Sequence, residues 1–143
     1  MMNILLLNGP NLNMLGKRDA SIYGTETLKD VEGMCQNFAD KNGVSLTCRQ
    51  SNHEGELVTW IQQARSTYDV IIINGGAYTH TSIAIHDALE IFDGKVVEIH
   101  ISEPKEREAF RHISYIEPCA DYRIAGHGIK GYIMAFEWAV DKK

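Results

Sequence analysis

A doubly wound α/β sheet is the fold class this sequence predicts, on three observations. Continuous apolar runs at Ile4–Leu7, Val70–Ile73 and Val96–Ile99 suit parallel strands covered on both faces. Segments with one apolar helical face lie between them, so strands and helices alternate. Each run also stops at a polar cluster: Asn8-Gly9-Pro10-Asn11, Asn74-Gly75-Gly76-Ala77-Tyr78-Thr79-His80, and Glu98-Ile99-His100-Ile101-Ser102. The C-terminal ends of such strands share one edge of the sheet, and ligands bind there. Three distant clusters therefore predict a single pocket.

The elements follow in order. Ile4–Leu7 is a buried strand, and the Gly, Pro and Asn content of the polar segment up to Gly24 predicts a loop. Thr27 caps a helix running to about Asn42, with Asp30 at the capping-box position and Gly43 as its stop. Leu28, Val31, Cys35, Phe38 and Ala39 form the apolar face of that helix. A strand is expected over Ser45–Arg49, then a helix over Glu54–Thr67 with Leu57, Ile61 and Ala64 inside. After the strand Val70–Ile73 come a helix over Ser82–Ile91, a strand over Val96–Ile101 and a short strand over Tyr122–Ala125. Ile129–Val140 closes the chain as a helix. The order β-α-β-α-β-α-β-β-α is that of a three-layered, flavodoxin-like sheet of about five strands.

At 143 residues the chain is expected to form one domain with a substantial core. A hydrophobic content of 44% and a net charge of −5 are ordinary for a soluble globular protein. That acidic balance argues against nucleic acid as a partner, because no basic stripe is present to neutralise phosphates. If the ligand is an anion, arginines must gather locally against the global sign. Cys35, Cys48 and Cys119 have no CxxC spacing and leave one unpaired, which suits a reduced cytoplasmic setting. The apolar run at Ile4–Leu7 is far too short for a signal or membrane span, so no membrane association is expected.

Candidate chemistry lies in the polar segments. Residues 16–24 lie between glycines in a long loop, a common form for an active-site lid. Arg18 and Tyr23 could close over a ligand, the cation favouring a tyrosinate that acts as base; a surface arginine and a packing tyrosine fit the loop as well. Period-2 alternation places Glu98 and His100 on one face of a strand, so the carboxylate can orient the imidazole as a general acid. Asn74 and His80 follow the central strand and could bond substrate hydroxyls, while Gly75-Gly76 lets backbone approach closely. Arg107 and Arg111, four apart on an expected short helix, could grip an anionic or polyhydroxylated ligand. Asp87, taken alone, reads as a solvated helix residue.

Two apparent motifs fail. Gly126-His127-Gly128-Ile129-Lys130-Gly131 fits G-x-G-x-x-G, yet only 12 residues follow, too few for a βαβ unit; a tight strand-to-helix turn is expected instead. The stretch from Gly9 to Gly16-Lys17-Arg18 has six intervening residues where a P-loop has four, and Arg where it needs Ser or Thr. The six histidines show no HExxH or Cys/His spacing, so no catalytic metal is expected.

Taken together, the motifs resemble those of the type II 3-dehydroquinate dehydratases. The resemblance rests on Leu7-Asn8-Gly9-Pro10-Asn11-Leu12-Asn13-Met14-Leu15-Gly16, Ser51-Asn52-His53-Glu54-Gly55, Ala77-Tyr78-Thr79-His80-Thr81-Ser82, and Glu98 to Ser102 with Arg107-Glu108-Ala109-Phe110-Arg111-His112. It implies a flavodoxin-like fold and reversible anti elimination of water from 3-dehydroquinate through an enolate, with no metal, Schiff base or other cofactor. By analogy, Tyr23 with Arg18 removes the C2 proton, and Asn11 helps hold a water at the enolate oxygen. His100 then protonates the departing C1 hydroxyl, oriented by Glu98 and Asn74. The amides of Ile101 and Ser102 receive the substrate carboxylate, His80 and Arg111 hold ring hydroxyls, and Asp87 reaches the substrate of a neighbouring subunit. The resemblance also implies a homododecamer, a tetramer of trimers. Gly75 and Ala20 stand where the family usually has Pro, and Glu103 where it usually has Asn. The alternatives are an altered paralogue acting on a related cyclic hydroxy-acid, and a flavodoxin-like nucleotide- or flavin-binding module.

Overall fold

The structure, a computed structural model, describes residues 1–141. Five parallel strands form one sheet in the order β2-β1-β3-β4-β5: β1 Asn3–Asn8, β2 Ser45–Gln50, β3 Val70–Asn74, β4 Lys95–His100 and β5 Tyr122–Ala125. This is the flavodoxin-like strand order, and its direction reverses between β1 and β3. Asn8 and Asn74, the last residues of those two strands, are register partners there. The fold is the doubly wound, three-layered one expected from the alternation of elements.

Helices cover both faces. α2 (Leu28–Asn42) and α5 (Lys130–Asp141) pack on one, with Val31, Cys35, Ala39, Tyr132 and Phe136 buried against Ile4, Leu6 and Ile72. α3 (Glu54–Ala64) and α4 (Ile83–Ile91) cover the other, burying Leu57, Ile61, Ile85 and Leu89 against Leu5, Leu7, Ile71 and Ile73. Alternate residues of each central strand thus enter different cores, which is why Ile4–Leu7 of β1 and Val70–Ile73 of β3 are apolar without a break. No helix among the described residues is long and apolar enough to cross a membrane.

Local chemistry sets the helix ends. The Thr27 hydroxyl accepts from Asp30 N and the Asp30 carboxylate accepts from Thr27 N, completing the expected capping box. Gly43 closes α2 in the left-handed region, and Ser82 caps α4 by accepting from Ile85 N. α3 ends at Ala64, three residues before the expected Thr67, because Ser66 turns left-handed at φ 64° and donates its amide to Asp93. The polar segment before Gly24 is not all loop. It holds a 3-10 turn at Leu12–Met14 and a short helix, α1 (Ala20–Tyr23), which Asp19 caps through Ser21 N. β4 stops at His100, one residue before the expected Ile101.

A buried polar network ties the strand ends together at the reversal point. The Tyr132 hydroxyl, on α5, donates to Asn8 Oδ1 at 2.7 Å and accepts from Asn74 Nδ2 at 3.0 Å. Asn74 Oδ1 accepts from Gly76 N, and Asn74 O from Gly9 N. The turn after β3 is packed to its limit. Gly75 has a φ of −73°, which any residue adopts, but a Cβ there would lie 2.6 Å from Ile116 Cδ1 and from Thr79 Oγ1. Gly76 has a φ of 57°, and its Cβ would lie 2.9 Å from Pro10 O, so only glycine fits without strain.

Tyr132→Phe tests this network. Removing the hydroxyl leaves two buried asparagine groups without that partner, and the expected loss of unfolding free energy is about 2 kcal/mol or more. Urea denaturation measures it, and a loss below about 0.5 kcal/mol would show that the network is dispensable.

Candidate active site

A pocket opens over the C-terminal ends of β3 and β4, lined by Asn74, His80, His100, Ile101 and Ser102 from the strand ends. Arg18 and Tyr23 enter from the segment before α2, and Arg107 and Arg111 from the connection between β4 and β5. Nine of the twelve residues singled out from the sequence therefore meet in one place. Three guanidinium groups converge there in a chain of net charge −5, which makes the pocket a local trap for an anion.

Glu98 and His100, two apart on β4, both point to this edge. His100 Nε2 lies 2.6 Å from Glu98 Oε2, with Glu98 fully buried and His100 5% exposed. The Ser114 hydroxyl donates to the same oxygen at 2.6 Å. Burial works to raise the Glu98 pKa, but the hydrogen bonds and charges of His100, Ser114 and Arg123 outweigh it and hold the carboxyl below its ordinary range. Glu98 is therefore a carboxylate that only accepts, so His100 Nε2 carries the hydrogen between them. No partner of Nδ1 occurs among the described residues, which leaves that nitrogen to the pocket.

Tyr23 ends α1 and is embraced by two arginines. The Arg18 guanidinium stacks on the ring face at 3.7 Å from its centroid, and Arg107 Nη1 donates to the hydroxyl at 2.9 Å. The same Arg107 nitrogen donates to Ser102 Oγ at 3.2 Å, so one cation joins the tyrosine to the segment that leaves β4. His112 Nε2 fixes the Arg107 backbone by donating to its carbonyl at 2.8 Å. The sequence placed only Arg18 beside Tyr23. Arg107 approaches from a residue 84 positions away, a contact for which the sequence carries no signal.

His80 bonds the Ile113 carbonyl through Nδ1 at 2.8 Å. A carbonyl only accepts, so Nδ1 holds the hydrogen and Nε2 presents a lone pair. Burial lowers the His80 pKa against the opposing pull of that carbonyl, favouring a neutral ring able to accept from a hydroxyl.

Several expectations need correction. Arg107 and Arg111 do not share a helix: Pro104–Glu106 and Ala109–Arg111 are separate 3-10 turns, with Arg107 extended between them. Pro104 starts the first turn, and 3-10 runs of this kind end after a few residues. Both side chains still reach the pocket, by different routes. Asn74 lines the pocket without touching His100, because its amide is committed to Tyr132 and Gly76. Asn11 is exposed, in the left-handed region, and not among the lining residues, its backbone N–H donating to Asn52 Oδ1, and Asp87 lies exposed on α4 outside the pocket. Beside it, His86, Asp87 and Glu90 bring ligand-type atoms within 4.8 Å of one another on that helix, and none of the three lines the pocket.

Glu103 does not confront the pocket with its charge. Arg123 grips it through Nη2 to Oε1 at 3.0 Å and Nη1 to Oε2 at 3.3 Å. The glycine-rich stretch at 126–131 is the expected tight turn into α5, and it has a role at the site: Gly126 N donates to Ser102 O and Gly128 N to Ile101 O.

The family model described as Dehydroquinase class II matches residues 2–140. A 3-dehydroquinate dehydratase of Bartonella henselae is 53% identical over 99% of this chain and 95% of its own. One from Streptomyces coelicolor is 53% identical over 94% of this chain and 86% of its own. Among solved structures, a type II dehydroquinase from Butyrivibrio crossotus superposes with a TM-score of 0.94 at 46% identity, covering 98% of this chain and 97% of that one.

The Glu98 carboxylate links stability to pH. Its folded pKa lies below its unfolded value, near 4.3 for a free glutamate, so its stabilising contribution is present above that value and is lost as pH falls through the folded pKa. Chemical unfolding at pH 7 and at pH 3 should show a steeper acid loss in the native chain than in Glu98→Gln. Equal slopes would contradict the assigned charge.

Proposed function

The chain belongs to the class II dehydroquinase family, and from that premise we propose how its pocket dehydrates 3-dehydroquinate to 3-dehydroshikimate. The reading is carried by one observation: Tyr23, flanked by Arg18 and Arg107, lines the same pocket as the Glu98–His100 pair. A base and an acid on separate elements are what an elimination requires, since a proton leaves one carbon and a hydroxyl its neighbour.

Tyr23, as phenolate between the two guanidinium groups, takes the C2 proton beside the ketone. The electron pair moves onto the ketone oxygen, giving an enolate, and a water held with help from Asn11 stabilises that oxygen. As the enolate collapses, the C1 hydroxyl departs and takes a proton from His100, leaving as water. Glu98 keeps the imidazole oriented, and solvent returns both side chains to their starting states. The Ile101 and Ser102 amides cradle the substrate carboxylate, with their carbonyls pinned by Gly128 and Gly126. His80 and Arg111 hold ring hydroxyls, and Asn74 supports the wall against which the ring rests. Residues 16–24 serve as a lid that delivers Arg18 and Tyr23.

The working unit proposed is a homododecamer in the cytoplasm, a tetramer of trimers in which Asp87 reaches a neighbour's substrate. Its exposed position outside this chain's own pocket supports that placement, as do Ile83 and Ile91, 56% and 55% exposed on the same helix. The three cysteines are free thiols, in keeping with a reduced compartment.

Purified protein mixed with 3-dehydroquinate should raise the enone absorbance of the product; a folded protein that gives none at high concentration refutes the activity. Tyr23→Phe should cut kcat by about 10²- to 10⁴-fold while ligand still binds, and turnover at the native rate would reject the base. Sedimentation should give the mass of twelve 16.1 kDa chains, and a trimer or monomer at working concentration would reject the assembly.

A further inference from the structure

The strand beside the acid contains a charged group that the dehydration scheme does not use. Arg123 on β5 is the register partner of Glu98 on β4, and its side chain is 20% exposed. Its Nε lies 3.6 Å from Glu98 Oε1 and 3.7 Å from Glu117 Oε1, while its two terminal nitrogens fork onto Glu103. Glu98 divides its oxygens. Oε2 takes the hydrogen bonds of His100 and Ser114, whereas Oε1 is buried, has no hydrogen bond and faces Arg123 Nε, which is buried and has none either.

Building on the reading of Glu98 and His100 as the acid pair, we propose that Arg123, clamped by Glu103, is a positioning residue for the general acid. A carboxylate held at one oxygen can still pivot about its last bond. A cation fixed at the other oxygen decides which oxygen meets His100, and the fork onto Glu103 fixes the cation in turn. The same fork withdraws the Glu103 charge from the anion cradle that begins at Ser102. Glu103 thus acts twice, holding Arg123 in place and surrendering a charge that would otherwise repel the substrate carboxylate.

The charged and titratable groups around Glu98 and His100 come from every neighbouring element. They are Arg123 on β5, Glu103 and Glu117 in the connection, His80 after β3, Arg18 and Tyr23 from the segment before α2, and Arg107 and Arg111 over the pocket. Besides His100 itself, Arg123 is the cation within ion-pair distance of Glu98 among the described residues, so removing it should leave more of the carboxylate charge acting on the imidazole.

The experiment has one readout tied to activity and one independent of it. In Arg123→Met, kcat for 3-dehydroquinate should fall about tenfold and KM should rise, while Arg123→Lys recovers most of kcat. Adding Glu103→Asn to Arg123→Met should restore KM and leave kcat low, because it removes the freed charge but not the lost anchor. NMR titration of the His100 ring should move to higher pH in Arg123→Met, whether or not the dehydration reading holds. An unchanged or lowered titration overturns the proposal, as does a kcat within about twofold of the native value. An inactive native protein whose His100 titration still moves refutes only the activity. Should Arg123→Met fail to fold, Glu103→Gln keeps the cation but loosens its fork, and should lower kcat by a smaller factor; an unaltered kcat there overturns the proposal.

Discussion

A carboxylate with no solvent exposure at the end of β4 constrains much of what surrounds it. Removing such a charge from water costs several kcal/mol unless partners offset the loss. Glu98 finds them on three separate segments: His100 on its own strand, Ser114 in the connection that follows, and Arg123 on β5. The path between β4 and β5 is shaped accordingly. Short 3-10 turns replace a long crossover helix and return polar side chains over the strand ends. The buried charge and the irregular connection are one arrangement seen from two sides.

The opposite wall answers to the reversal of strand order between β1 and β3. Separated helices leave a crevice there, and its floor must be polar without being wet. Asn8, Asn74 and Tyr132 meet that demand by bonding one another, which fixes the height of both strand ends. Gly75 and Gly76 then let the next turn run directly against Pro10 and Ile116. The asparagine that resembles a ligand-binding group in sequence is mostly a beam of the scaffold.

At Tyr23, positive charge arrives from two directions. Arg18 lies five residues before Tyr23 and covers its face, while Arg107 crosses from the β4–β5 connection to its hydroxyl. Because Arg107 also bonds Ser102, the tyrosine is tied to the segment that leaves β4 just after His100. The segment carrying Arg18 and Tyr23 is thereby held in register with the Glu98–His100 pair across the pocket.

Much of this was legible without coordinates. The sheet, the helix caps at Thr27, Gly43 and Ser82, and the pairing of Glu98 with His100 depend on local periodicity and hydrogen bonding, which neighbours in the chain decide. The early end of α3 was not legible, because it rests on Asp93 accepting from Ser66 across 27 residues. The contacts that the sequence did not signal are long-range: Arg107 on Tyr23, Asn74 on Tyr132, and Arg123 between Glu98 and Glu103. The sequence by itself determined which chemical groups lie at the strand ends, since strand period and apolar runs follow from adjacent residues. Only the tertiary structure decided which of them touch, because a contact between residues dozens of positions apart depends on how strands and connections pack.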